Sequence, residues 1–186
     1  MSTTTATTKQ GFDGTYVTDT VHSVFGFSVL HNEISTFRGT LDDVDATLVA
    51  DGGELQLEGA AKVESISIRE PEQFRAHVLA EEFFDAGNYP EVRFRSTSIE
   101  LGDDRSASVE GELSIAGTTK PVTATGTYQE PREGLGGERA ALELKTTFDR
   151  RDFGFEWQME TPGGALALAW DVTLEIHLEL LKPEEA

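Results

Sequence analysis

The chain of 186 residues contains no cysteine, which excludes disulfide staples and any chemistry that runs through a thiolate. No stretch approaches eighteen consecutive apolar residues, so no membrane-crossing helix is expected. The opening, MSTTTATTKQ, is polar and reads as neither a signal peptide nor a membrane span. With Met1 as the natural start, that predicts a cytoplasmic protein. A Gly-x-Ser-x-Gly elbow and a phosphate-cradling glycine loop are also missing. Positive charge is scarce: 15 basic against 34 acidic side chains leave a formal charge of −19. Such a field repels nucleic acid and anionic membrane surfaces, so neither is an expected partner.

What is present is alternation. In Ser23 to His31, Phe25, Phe27, Val29 and His31 share one face, and Val24, Gly26, Ser28 and Leu30 share the other. The run Ser35 to Ala50 alternates twice, with a change of phase at Asp42-Asp43 that predicts a bulge or bend. Asp51-Gly52-Gly53 is a turn, and Glu54 to Ser67 returns from it as a hairpin strand. Further strands are expected at Val92–Leu101, Ala107–Ile115, Pro121–Tyr128, Ala141–Phe148 and Trp170–Leu180. A Gly/Pro/Glu loop is expected over Glu130 to Glu138.

The pattern is interrupted once, between Phe74 and Pro90. Phe74, Val78, Phe83 and Phe84 recur about one helical turn apart, and Asp85-Ala86-Gly87-Asn88 then breaks the run. The reading is an all-β fold with one short helix: an eight-stranded antiparallel β-barrel enclosing an apolar cavity. Residues 1–12 are expected as a disordered tail and 13–182 as the barrel. Two features favour a barrel over a sandwich: the longest strands suit tilted staves, and the dry face mixes large residues with Gly39, Gly111, Ala124 and Gly126, which leave the middle unfilled.

Four segments stand out, in order: Asp19-x-x-His22-Ser23-x-Phe25-x-Phe27-x-Val29-x-His31; Phe83-Phe84-Asp85-Ala86-x-x-Tyr89-Pro90-x-Val92-x-Phe94-x-Ser96-Thr97; Val109-x-Gly111-x-Leu113-x-Ile115-x-Gly117-x-Thr119-Lys120-Pro121-Val122; and Arg150-x-Asp152-Phe153-Gly154. Together they resemble the YceI-like polyisoprenoid-binding family. The resemblance implies an extended, lipocalin-like antiparallel β-barrel with a helix at one side, often dimeric, holding a long isoprenoid or related amphiphile. Many relatives carry a signal peptide, and this chain shows none.

The expected ligand-binding set is Phe25, Phe27, Val29, His31, Phe83, Phe84, Phe94, Gly111, Ala124, Arg150, Phe153, Phe155, Trp157 and Trp170. The rings come from the matched segments, and Gly111 and Ala124 from the argument that small inward residues leave space. His31 reads as either a hydrogen-bonded buried histidine or a polar group meeting a ligand head at the barrel mouth. Arg150 reads as either a surface ion pair with Asp149 or Asp152, or an inward anchor. The spacing of His22, His31, His77 and His177 argues against a metal site, and no cofactor is expected beyond a bound isoprenoid or fatty-acyl ligand. The function expected is a non-enzymatic carrier for a long apolar amphiphile. Its rivals are a structural or stress-related domain with a filled core, and a hydrolase using Glu81 and Asp85, which are spaced for one helix face.

Overall fold

Apolar–polar alternation becomes strand wherever turn residues bound it, and the computed structural model, which describes residues 11–183, contains ten strands. These are β1 (Gly14–Thr18), β2 (Val24–His31), β3 (Ser35–Leu41), β4 (Val44–Asp51), β5 (Glu54–Lys62), β6 (Glu91–Leu101), β7 (Ser106–Ile115), β8 (Thr118–Gly134), β9 (Gly137–Asp149) and β10 (Leu168–Pro183). All neighbouring strands are antiparallel. The order β1-β4-β5-β6-β7-β8-β9-β10 closes when β10 pairs back to β1, giving an eight-stranded barrel.

Two staves are broken. β10 pairs with β1 at Val17↔Leu181 and with β2 at Ile176↔Phe25, so β1 and β2 follow one another along the same neighbour. β4 pairs with β1 and β3 with β2. The break between β3 and β4 falls at Asp42-Asp43, where the sequence changes phase. The β2–β3 hairpin therefore extends one wall of the barrel.

The two ends differ in how the chain turns. At one end β4–β5, β6–β7 and β8–β9 are joined by tight turns. Gly52 and Gly53 both sit at positive φ, 58° and 90°, which glycine adopts without a Cβ penalty. At this end Phe12, Tyr16, Leu48, Val109, Tyr128, Leu142 and Leu180 are almost completely buried. Both tyrosine hydroxyls are satisfied: Tyr128 donates to the Gly102 carbonyl at 3.0 Å, and Tyr16 donates to Glu138. The other end carries the two long connections, between β5 and β6 and between β9 and β10.

Four expectations need correction. The predicted tail covers Met1 to Phe12; residues 1–10 lie outside the described residues, but Phe12 is buried, its ring edge-on to Tyr16 at 5.6 Å. The expected loop Glu130–Glu138 is mostly strand, since β8 and β9 stay paired out to Gly134↔Gly137; a register shift after Gln129 accommodates Pro131, whose missing N–H would interrupt a regular ladder. The returning hairpin strand stops at Lys62, where a 3-10 turn, Val63–Ser65, takes over. The helix α1 spans only Glu72–Leu79. Continuing it would place Glu81 and Glu82 at the negative end of the helix dipole. Instead the chain tightens into turns, in which Phe84 N–H donates to the Val78 carbonyl at 3.2 Å.

Candidate functional site: an aromatic cavity at one end of the barrel

The long connections do not seal their end. They enclose, with β2, β3 and the first half of β10, a cavity of about 500 Å³. Small-molecule sites commonly measure ~300–1,000 Å³. Inward alternation supplies one wall: Phe25, Phe27, Val29 and His31 from β2, and Leu168, Val172 and Leu174 from β10. From α1 come Phe74, His77 and Val78, whose i, i+3, i+4 spacing puts them on one helix face. The turns after α1 aim Phe83 and Phe84 inward, and the β9–β10 connection returns with Phe155 and Trp157.

The rings hold each other. Phe83 lies 5.5 Å from Trp157 and 6.3 Å from Phe155, and Phe84 meets Phe155 edge-on at 5.5 Å. The His77 ring stands edge-on to both Phe83 (5.1 Å) and Trp157 (5.4 Å), and its Nε2 is 2.9 Å from Glu82 Oε2. Such contacts fix ring orientation and contribute about 0.5–1.5 kcal/mol each beyond burial. The exposed lining residues His31, Phe74 and Met159 mark the mouth. At the deep end Phe25, Val92 and Leu174 also border a second, wholly apolar cavity of about 60 Å³. With no polar partner for water, that inner space is expected to be dry.

The expected site residues divide in two. Phe25, Phe27, Val29, His31, Phe83, Phe84, Arg150, Phe155 and Trp157 line the large cavity. Phe94 and Ala124 border the small one instead. Phe153 is buried behind the wall, its ring 4.8 Å from Phe148. Trp170 and Gly111 touch neither cavity. The inward glycines are not empty space: a Cβ at Gly111 would enter the Phe94 ring, one at Gly39 the Phe27 ring, and one at Gly126 the Glu143 carbonyl. They are seats for rings and for a closely crossing strand. Sequence reasoning missed Phe37, Phe74, His77, Phe148 and Met159, which also line the large cavity.

The structure shows which way the two open residues face. His31 is exposed at the end of β2, not buried. Arg150 points inward and is only 4% exposed. Its Nε donates to the Ala169 carbonyl at 3.0 Å and its Nη1 to the Phe155 carbonyl at 2.6 Å, tying a 3-10 turn (Arg150–Phe153) to the start of β10. The surface ion pair belongs to the next residue: Arg151 holds the Asp149 carboxylate, whose pKa it lowers to about 2. Both guanidiniums stand over the Trp170 ring, 4.4 and 4.5 Å from its centroid.

The catalytic rival loses its premise. Glu81 and Asp85 lie beyond the end of α1, and neither lines the large cavity; Asp85, at φ 46°, accepts hydrogen bonds from the Asn88 amide. Elsewhere, Asp19, His22 and Glu179 bring ligand-type atoms within 4.8 Å of one another, a cluster that histidine spacing did not foresee. Arg139 answers both carboxylates there, and its hydrogen bond holds the Asp19 carboxyl well below the usual range. Among the described residues no helix is long and apolar enough to cross a membrane.

Comparison with known proteins agrees with this architecture. A UPF0312 protein of Pseudomonas putida is 30% identical over 165 residues, covering 87% of this chain and 82% of that one. The crystal structure of the Campylobacter jejuni YCEI protein superposes with a TM-score of 0.69 at 26% identity, over 81% of this chain and 88% of that one. A polyisoprenoid binding domain from Saccharophagus degradans superposes with a TM-score of 0.66 over 90% of this chain and 98% of that one; its 12% identity speaks to the fold alone. The sequence profile of the YceI-like domain matches residues 16–180. The chain therefore belongs to the YceI-like domain family.

Proposed function

We propose that this barrel is a non-enzymatic carrier for a long apolar amphiphile, isoprenoid or fatty-acyl, held tail-first in the large cavity. The observation that carries the reading is the cavity itself. It measures about 500 Å³ and is walled by aromatic and aliphatic side chains, with polar groups confined to His31, Asn32, His77 and Arg150. A wall of that kind rewards length and dryness: each methylene moved out of water contributes about 0.8 kcal/mol. Ten buried methylenes thus give ~8 kcal/mol before the cost of immobilising the ligand is subtracted. The structurally similar Saccharophagus domain is itself named for binding a polyisoprenoid, so a barrel of this fold is compatible with such a ligand.

The test is uptake. Protein purified from cells and examined by native mass spectrometry is expected to retain a hydrophobic mass, and stripped protein to take up a fluorescent polyprenyl or fatty-acyl probe saturably. A chain that carries no such mass and binds neither probe has a cavity that is only a packing defect.

A further inference from the structure

We infer that Arg150 is the head-group site of this cavity, and that the ligand it selects ends in an oxyanion, a carboxylate or a phosphate. This rests on the carrier reading.

Arg150 lies on the cavity wall, toward the mouth: it opens the 3-10 turn that follows β9 and is bonded to Ala169 at the start of β10, one residue beyond the Leu168 that pairs with His31. Its Nη2 is the one buried side-chain polar atom without a hydrogen-bond partner among the described residues. Both existing partners of the guanidinium are neutral carbonyls. Among the described residues no carboxylate forms an ion pair with it, and Asp149, the nearby acid, is engaged by Arg151. Arginine keeps its proton in proteins, so the buried charge stays. A cation removed from water without a counter-charge is costly, and stacking on Trp170 offsets only part of that.

The wall around it has the same bias. In a chain of net charge −19, the large cavity is lined by one arginine, two histidines and one asparagine, and by no aspartate or glutamate. Acids are kept out of the one place where an anionic head would have to sit. The deep end at Phe25, Val92 and Leu174 is apolar, so a single molecule entering tail-first brings its head to the level of Arg150.

The experiment compares heads on one tail in the parent protein: hexadecanoate and hexadecyl phosphate against hexadecanol and methyl hexadecanoate, each by displacement of a fluorescent probe. A charge-assisted hydrogen bond in a dry site predicts oxyanions binding about ten- to a hundredfold tighter than the neutral pair. Whichever oxyanion is tighter names the source. In Arg150→Met the oxyanion-to-alcohol ratio should fall toward unity, with a thermal melt run alongside; Arg150→Lys should recover part of it. A parent ratio near unity overturns the proposal even if a variant folds poorly. Alcohol and ester binding as tightly as the acid would overturn the head-group site and leave the carrier reading standing. Binding of none of the four would remove both.

Discussion

Both ends of this barrel are rich in aromatic rings, and they use them in opposite ways. At the tight-turn end Phe12, Tyr16 and Tyr128 are packed to near-complete burial, with each hydroxyl bonded to a protein acceptor. At the other end Phe25, Phe27, Phe37, Phe83 and Phe84 are only partly buried, because each turns one side to a cavity of about 500 Å³. Connection length is the difference. Short hairpins bring strand ends together, so rings between them meet on every side. The connections leading into and out of α1 and back to β10 stand away from the sheet, and the β2–β3 hairpin extends one wall past its neighbours. Aromatic content alone does not separate core from pocket; the spacing of the staves does.

The largest effect expected from breaking this comparison is on stability. Tyr128→Ala removes a fully enclosed ring and a hydrogen bond, and should cost about 3–5 kcal/mol, as large-to-alanine changes in cores do. Phe37→Ala, at the cavity, should cost ~1–2 kcal/mol, because the ring already lacks neighbours on one side. Denaturant midpoints measure both; equal losses would mean that the open end is packed as tightly as the closed one.

Filling changes sharpen the contrast. Ala124→Phe puts a ring against a space of only about 60 Å³ and overpacks it; the expected loss is about 1–3 kcal/mol, with probe uptake retained. Val172→Trp puts a ring into the large cavity, and should lower probe affinity at least about tenfold while the melting temperature moves by less than about 4 °C. The reverse pattern would exchange the roles of the two cavities.

The fold was legible wherever alternation was uninterrupted. Val24 to His31 and Trp170 to Leu180 declared their faces, and the change of phase at Asp42-Asp43 marked a broken stave. Glu130 to Glu138 misled because its composition is that of a loop, while its neighbour's backbone, invisible in a local window, keeps it paired. Phe83 and Phe84 had helical spacing, yet turns deliver them to the cavity. The inward glycines leave no space, for a tertiary reason. Gly111 and Gly39 are small because Phe94 and Phe27 lie across them, and whether a small residue makes space or yields it to a ring depends on the strand opposite. For Arg150 no one-dimensional signal chose between surface and interior, since Asp149, Arg151 and Asp152 beside it are all charged.

The smallest effect expected is with pH. Arg139 holds the Asp19 carboxyl below its usual range at the β1–β10 seam of the closed end, and Arg151 lowers Asp149 from 3.8 to about 2 near the mouth. A lowered folded-state pKa stabilises the protein above the unfolded value, and that contribution is lost as pH falls through the folded value. The Asp149 share should therefore disappear between about pH 4 and 2, and the Asp19 share should begin to fall in the same range and go on falling below it. Thermal melts from neutral pH downward should show this acid limb, and it should be shallower in Arg139→Met. An unchanged limb in that variant would mean that the seam owes nothing to this ion pair.

The central claim is that an apolar chain occupies the end of the barrel that the rings leave open, and the two tryptophans permit a direct test. Trp157 lines the large cavity and Trp170 does not. A fatty-acyl chain brominated midway along its length should quench emission saturably, with equimolar stoichiometry, while the unbrominated chain should not. In Trp157→Phe most of that quenching should vanish. Emission untouched by the brominated chain, or quenched equally after Trp157→Phe, would contradict the account.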